Sequence, residues 1–491
     1  MRNLSLLTDM YELTMVGGYI VSGKQDQWAN FDYFFRKVPD NGGYCITAGL
    51  EQVVDYITRM RFSQGDLSYL EGLKIFPDQV FRYLENFHFS GDLYAVPEGT
   101  VVFPGEPIIR VTAPLPEAQF IESALLNVMN FQTLIATKAA RVCIAAEGDP
   151  VIEFGLRRAH GPDAALGASR AAFIGGAQGT SNVLAGKLFG IPVRGTVAHS
   201  WVESFASELE SFRKYCEIYP GGCLLLVDTY DTLKSGVPNA IRVGKEMRER
   251  GLGDLAGIRL DSGDLAYLSK EARKMLDQEG FEQTRIFASS DLDEWIIESI
   301  KNQGGRIDTW GVGTRLVTAY STPALGGVYK LTGIEEQGRM VPKIKRSDNP
   351  EKVTNPGKKK IIRFFDASGL MRGDVMFLEE EAVEARPIRG FHPAVPHISK
   401  IYPLKFERLE LLQPIIQNGA LVYQKPLLKE IQENTRQNLR RLGPEFKRFT
   451  NPHIYHVSLS QQLLQTKQRL LKKTNVLEPP APPSRPAKKI S

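Results

Sequence analysis

Six short apolar stretches in the middle of the chain each run directly into polar residues: "EFGLRRAHG", "GTVAHS", "VDTYDT", "RLDSGD", "ASSDLD" and "WGVGT". They offer an imidazole at His199, guanidinium groups at Arg157 and Arg259, and carboxylates at Asp261 and Asp264 around a Ser-Gly turn. Two carboxylates that close suit the hydroxyls of a sugar or a hydrated Mg²⁺, and Arg259 suits an anionic substrate bound bidentately. A plainer reading, an Asx turn capping the next helix, explains one aspartate but not Arg259. Ser289 and Ser290 stand before an apolar face made of Leu292, Trp295, Ile296 and Ile300. They read as a helix start able to seat phosphate, and Gly311 and Gly313, followed by Thr314, let backbone approach a ligand closely. No exit carries a lysine, so Schiff-base chemistry lacks its nucleophile. Neither GxxxxGK[ST] nor GxGxxG occurs.

His199 sits at a joint between patterns. Residues 191–196 alternate like a strand, and Trp201, Val202, Phe205, Leu209 and Phe212 then recur at helical spacing. Ser200 and Glu203 read as a capping box, which starts the helix at Ser200 and leaves His199 just outside its positive end. A neutral imidazole is favoured there. The plainer alternative is a histidine bonded to a turn.

These exits need a frame that brings them together. Strands are expected at 151–154, 191–196, 223–227, 257–260, 285–288 and 308–311, with one more from "GGAQGTSN". Amphipathic helices such as "SGVPNAIRVGKEMRERG" fill most intervals. Repeated βα units imply a parallel sheet; six or more without a dinucleotide fingerprint imply an irregular TIM-like (β/α) barrel, closed or incomplete. In such a barrel the C-terminal strand ends share one mouth, which is where catalytic groups belong. Before it, residues 1–115 read as an N-terminal α+β domain, and the catalytic unit spans 116–340. A C-terminal region, 341–475, carries helices near 405–442 and 460–473 and packs on the first two. The Pro-rich stretch 476–491 reads as a disordered basic tail.

With 491 residues the chain has room for two to four domains. Its net charge of +5 is unevenly spread, with 28 Lys or Arg against 14 Asp or Glu from residue 341 onward. Those charges are scattered and not interleaved with stacking aromatics, so a solvated basic surface is expected and nucleic acid is not. No apolar run is long enough for a membrane span and no signal segment opens the chain, which points to a cytoplasmic protein. Cys45, Cys143, Cys216 and Cys223 form no CxxC pair, and the expectation is four reduced, mostly packed thiols.

Taken jointly, "LLTDMYELTM", "EFGLRRAHGPDAALGASRAAFIGGAQGTSNVLAG", "GTVAHSW", "VDTYDT", "IRLDSGDL" and "WGVGTRLVT" closely resemble the nicotinate phosphoribosyltransferase family, from near the N-terminus to about residue 400. The resemblance implies a type II phosphoribosyltransferase fold and a homodimer whose active sites use both chains. It implies transfer of phosphoribosyl from 5-phosphoribosyl 1-diphosphate to nicotinate, with ligase-type coupling to ATP as co-substrate. His199 stands where the family carries a phosphohistidine. Asp261 and Asp264 would face the ribose, and Mg²⁺ would accompany the departing diphosphate, with its direct ligands left open. Tyr11, arriving from the partner chain, and Phe154 would stack on the pyridine ring. Thr196 and Arg259 match nicotinate contacts and Thr314 a donor contact; Arg157 and Gly155 would line the same pocket. Two alternatives stand beside this reading. A sister enzyme acting on nicotinamide carries an aspartate where "GTSN" places Ser181, and a serine there suits the acid, since an aspartate repels a carboxylate. A phosphoribosyl-binding sensor without turnover is the other, and His199, Asp261, Asp264 and Arg259 argue against it.

Overall fold

The computed structural model describes residues 3–347, 349 and 352–473, so the expected tail at 476–491 lies outside the described residues. At its centre is a six-stranded parallel sheet of Val151–Glu153, Gly179–Thr180, Leu224–Leu226, Gly257–Leu260, Arg285–Ser290 and Thr309–Val312. Five of these fall within two residues of the expected stretches, and "GGAQGTSN" supplies the sixth. The short apolar runs pair because they are buried on both faces, as parallel strands between helices must be.

The expected strand at 191–196 does not form. Only Val193 bridges to Thr180, through Thr180 N to Pro192 O at 3.0 Å and Arg194 N to Thr180 O at 2.9 Å. Pro192 has no N–H to extend the ladder, and Val193, Arg194 and Gly195 are exposed, so no packing rewards extension. Chain order is nevertheless kept around the sheet, and Thr309–Val312 returns to pair with Val151–Glu153. Among the described residues no strand pairing joins Val193 to Leu224–Leu226. The sheet is therefore open at that seam, and the closed form of the expected barrel is absent.

Two helix starts also differ. The helix after "ASSD" is Glu294–Asn302, capped by Asp293, whose carboxylate accepts from Ile296 N at 2.9 Å. Asp293 outcompetes the serines as cap, and Ser289 and Ser290 remain on the strand end. The short helix His199–Glu203 begins one residue early, with Ala198 as N-cap and no side-chain cap, because Ala198 O closes the first turn on Trp201 N at 3.0 Å. The Ser200/Glu203 capping box is not formed.

A seven-stranded sheet lies beside this core, built on Trp28–Phe35, Asp92–Ala95 and Ile109–Pro114. It also takes in Gly327–Glu336, Arg339–Pro342, Gln413–Gln417 and Ala420–Leu421, so its strands come from all three stretches of the chain. Glu122–Ala145 joins the two layers: its buried Lys138 and Arg141 both bind Glu294, at 2.8 and 2.7 Å. A further six-stranded sheet is made wholly from residues after 358.

The helix expected near 405–442 is confined to Leu428–Arg441. Before it come the strands Glu407–Glu410 and Gln413–Gln417, the latter turning at Asn418-Gly419, both at positive φ, into Ala420–Leu421. An Asn-Gly pair between apolar runs is a hairpin signal that outweighs helical spacing. The expectation of four reduced cysteines is also corrected: Cys216 and Cys223 form a disulfide, with Cα atoms 5.2 Å apart, and only Cys45 and Cys143 are free. The turn at Pro220–Gly222 folds the end of helix Glu208–Ile218 back against the strand that follows and sets the two side by side. No helix among the described residues is long and apolar enough to cross a membrane.

Candidate active site

The strand ends converge on Arg259. It is the third residue of Gly257–Leu260, and its side chain is only 15% exposed. Its Nε donates to Ser289 Oγ at 2.7 Å, from the next strand. One Nη1 bonds Thr196 Oγ1 at 3.0 Å and Val197 O at 3.2 Å, across the open seam, and Nη2 donates to Asp261 Oδ1 at 2.7 Å. Side chains thus connect what backbone pairing leaves apart. The guanidinium also lies 5.9 Å from the centre of the Phe154 ring.

Asp261 links this cluster to the histidine. Its Oδ1 accepts from the Ser289 hydroxyl as well as Arg259, and its Oδ2 lies 3.7 Å from His199 Nε2. Burial alone would raise the Asp261 carboxyl, but the Ser289 hydroxyl, Arg259 and His199 outweigh it and hold it below the usual range. Asp261 is therefore ionised at neutral pH. His199 is 40% exposed and its Nδ1 lies 3.2 Å from Thr229 Oγ1.

Asp228 and Thr229, in the exit "VDTYDT", were assigned no role from sequence. Asp228 Oδ2 accepts from Asp261 N at 2.8 Å and Ser262 Oγ at 2.6 Å, while its Oδ1 is buried without a hydrogen-bond partner. The signal was available, since these residues occupy the same strand-end register as His199 and Asp261. Glu153 was missed for the opposite reason: an acid in mid-strand looks like an interruption. It is buried, and it accepts from Gly155 N, from Ser169 Oγ at 2.8 Å and from Thr180 Oγ1 at 2.5 Å, bracing the turn that carries Phe154.

The other expected residues divide. Gly311 lies under Phe154, where an added Cβ would meet the ring at 2.7 Å, and at Gly313 it would come within 3.2 Å of Phe154 O. Their glycines therefore have a packing reason. Ser181 is half-buried and its backbone N bonds Glu153 O at 2.9 Å. Thr314 is half-buried at the start of Thr314–Val317, and Ser290 and Arg157 are exposed on their exits. Asp264 caps Leu265–Gln278 by accepting from Tyr267 N at 3.0 Å, which is the plainer role allowed for one of the two aspartates. Tyr11 is not brought to the cluster: it is 45% exposed on helix Met10–Val21, and its neighbours are Glu12, Glu122 and Ser123. Among the described residues no group of three or more His, Cys, Asp or Glu side chains stands ready to hold a metal.

The sequence matches three family models along its length. They are the nicotinate phosphoribosyltransferase (NAPRTase) N-terminal domain over residues 6–130, the NAPRTase family over 150–368 and the nicotinate phosphoribosyltransferase C-terminal domain over 358–467. Nicotinate phosphoribosyltransferase of Bacillus subtilis is 49% identical over 469 residues, covering 95% of each chain. The chain belongs to the nicotinate phosphoribosyltransferase family. The human nicotinate phosphoribosyltransferase is 33% identical over 93% of this chain and 95% of its own. A crystal structure of human nicotinic acid phosphoribosyltransferase superposes with a TM-score of 0.81 at 31% identity, covering 96% of this chain and all of that one. Membership extends the likeness past residue 400, to 467. The model over 150–368 contains every strand of the parallel sheet and the whole Arg259 cluster.

Proposed function

We propose that this family member transfers phosphoribosyl from 5-phosphoribosyl 1-diphosphate to nicotinate, on the salvage route to NAD, and couples that transfer to ATP through a phosphohistidine at His199. The observation that carries this reading is the convergence of a cation, a carboxylate and an imidazole, Arg259, Asp261 and His199, at one end of the parallel sheet. In the transfer, the pyridine nitrogen forms a bond to ribose C1 while the bond from C1 to the diphosphate oxygen breaks. Positive charge develops at C1, and Asp261, with Asp264 at the same turn, stabilises it. Among the described contacts Arg259 keeps one Nη2 N–H uncommitted, which suits the nicotinate carboxylate, beside Thr196 and the Phe154 ring. Ser181 supports the acid over the amide, and Ser289, Ser290, Gly311, Gly313, Thr314 and Arg157 would surround the donor's phosphates.

In the coupled step an imidazole nitrogen of His199 attacks the γ-phosphorus of ATP. The N–P bond forms, the bond to the bridging oxygen breaks and ADP leaves; water later hydrolyses the phosphoramidate. The 40% exposure of His199 suits it to meet a nucleotide. Mg²⁺ fits as a passenger of the phosphates: bound by one or two carboxylates and substrate oxygens, it needs no three-ligand cage. Asp261 and Asp264 would hold it, and it would neutralise charge on the departing diphosphate.

The ring of strands reads as an irregular barrel whose open seam is spanned by Arg259. Tyr11, exposed and without a contact to the Arg259 cluster, suits a homodimer in which it completes the partner's pocket, and the protein would act in the cytoplasm. Mixing Tyr11→Ala and His199→Asn chains should then restore activity through one intact site per heterodimer.

The decisive experiment measures nicotinate mononucleotide formation with and without ATP, alongside labelling by γ-labelled ATP. Turnover with ATP stimulation and an acid-labile, base-stable label lost in His199→Asn is the expected result. Turnover without label on His199 would overturn the phosphohistidine, and no turnover of nicotinate would overturn the activity.

A further inference from the structure

His199 has two ring nitrogens, and the structure gives them different company. Nε2 faces the Asp261 carboxylate, with Oδ2 at 3.7 Å, beyond hydrogen-bond reach. Nδ1 faces the Thr229 hydroxyl at 3.2 Å, a group that can donate as well as accept. Among the described residues the Thr229 hydroxyl is the ring's hydrogen-bond partner.

Thr229 is also held in place by its neighbour. Asp228 is pinned by Asp261 N at 2.8 Å and Ser262 Oγ at 2.6 Å, so the turn that carries Thr229 is tied to the loop that carries Asp261. The two partners of the imidazole thus form one rigid frame built from two adjacent strand exits, Leu224–Leu226 and Gly257–Leu260. His199 itself lies on a helix of only five residues, without a side-chain cap and next to the open seam. Its own element orients it weakly. Orientation must come from what the ring touches.

We propose that Thr229 is a positioning residue: its hydroxyl, hydrogen-bonded to Nδ1, fixes the orientation of the His199 ring at the strand exits. The role in phosphoryl transfer rests on the phosphohistidine reading above; the orientation of the ring does not. Thr229→Val keeps the shape and removes the hydrogen bond, and Thr229→Ser restores the hydroxyl.

Two readouts are taken on the full chain carrying ¹⁵N-labelled histidine, with the His199 signals assigned by their loss in His199→Asn. The first is the His199 Nδ1 ¹⁵N shift, which reports the hydrogen bond made by that nitrogen. Wild type and Thr229→Ser should share one shift, and Thr229→Val should move away from it. The second is the rate of labelling by γ-labelled ATP, expected to fall about tenfold in Thr229→Val, the scale of one lost hydrogen bond, and to recover in Thr229→Ser. Thermal melts accompany each variant. An unchanged Nδ1 shift in folded Thr229→Val, or a labelling rate that falls in Thr229→Val and is not restored in Thr229→Ser, overturns the proposal. If no form takes label but the shifts behave as expected, the phosphohistidine reading fails while the positioning of the ring by Thr229 stands.

Discussion

Two arginines in this molecule each bind an aspartate at nearly the same distance, yet to opposite ends. Arg259 and Asp261 meet at 2.7 Å with side chains 15% and 28% exposed, and both also serve other partners at the strand ends. Arg363 and Asp374 meet at 2.6 Å with side chains 1% and 0% exposed, in the sheet made from the end of the chain. There Arg363 also donates to Val101 O at 2.8 Å, the Tyr455 hydroxyl donates to Asp374 at 3.0 Å, and burial together with the Asp374 charge pushes Glu106 well above the usual carboxyl range. The buried pair stitches that sheet to the N-terminal part of the chain and has no opening to a ligand. The half-exposed pair leaves a donor and a carboxylate edge in reach of one. Identity of the residues does not separate structure from chemistry here; access does.

The sharpest way to break this contrast is at the buried pair. Asp374→Ala removes the carboxylate that Arg363 binds directly, leaves only Glu106 nearby to balance the buried guanidinium, and should destabilise the fold by about 3–5 kcal/mol. Denaturant titration would show it, and the nicotinate KM of the folded fraction should stay near that of the wild type. A stability loss below 1 kcal/mol would mean that the buried cluster is not structural.

At the half-exposed pair the effect should move from stability to substrate. Arg259→Ala should cost about 2–4 kcal/mol in kcat/KM for nicotinate, far more than for the phosphoribosyl donor, with a smaller shift in the melting temperature than Asp374→Ala causes. Equal losses on both substrates would place Arg259 away from the nicotinate carboxylate.

Ser289→Ala tests the electrostatics of the same pair. Burial raises the Asp261 carboxyl and the Ser289 hydroxyl is the strongest of the opposing influences, so its loss should lift the Asp261 pKa. A depressed carboxyl contributes stability above its unfolded pKa and loses it as pH falls through the folded value. In the variant that loss, and the acid limb of the activity profile, should therefore appear at higher pH. An acid limb that does not move would remove Asp261 from the profile.

The last test sharpens the comparison with a cation that, among the described residues, bonds no carboxylate. Lys467 is buried against Asn355 Oδ1 at 2.9 Å and Pro393 O at 3.2 Å, and burial, with Lys359 nearby, pulls it down to about 8. Its charged form is disfavoured in the fold, so between about pH 8 and the ordinary lysine value the unfolded chain binds more protons and stability rises with pH. Lys467→Met should lose that rise. Urea midpoints at pH 7 and pH 10 would compare the two slopes, and equal slopes would show that Lys467 titrates normally.

The sequence by itself determined five of the six parallel strands, because each is a short, largely apolar run followed by polar residues, a local pattern. It also determined the family, since His199, Arg259 and Asp261 are recognisable in their own short motifs. The Asn418-Gly419 hairpin was legible but was read through by a helical spacing that its turn chemistry contradicts. Other features were not local. Whether residues 191–196 pair depended on what lay beside them, and Pro192 with an exposed flank left one bridge. Thr229 became a partner of His199, Glu153 a buried brace and Cys216 a neighbour of Cys223 only once strands and helices far apart in sequence, or turned back on themselves, were packed. A hydrogen bond depends on distance and angle between side chains on different elements, and residue spacing along one element carries no record of either. Tertiary structure alone decided which of two similar arginine–aspartate pairs was sealed in the interior and which was left open at the mouth of the sheet.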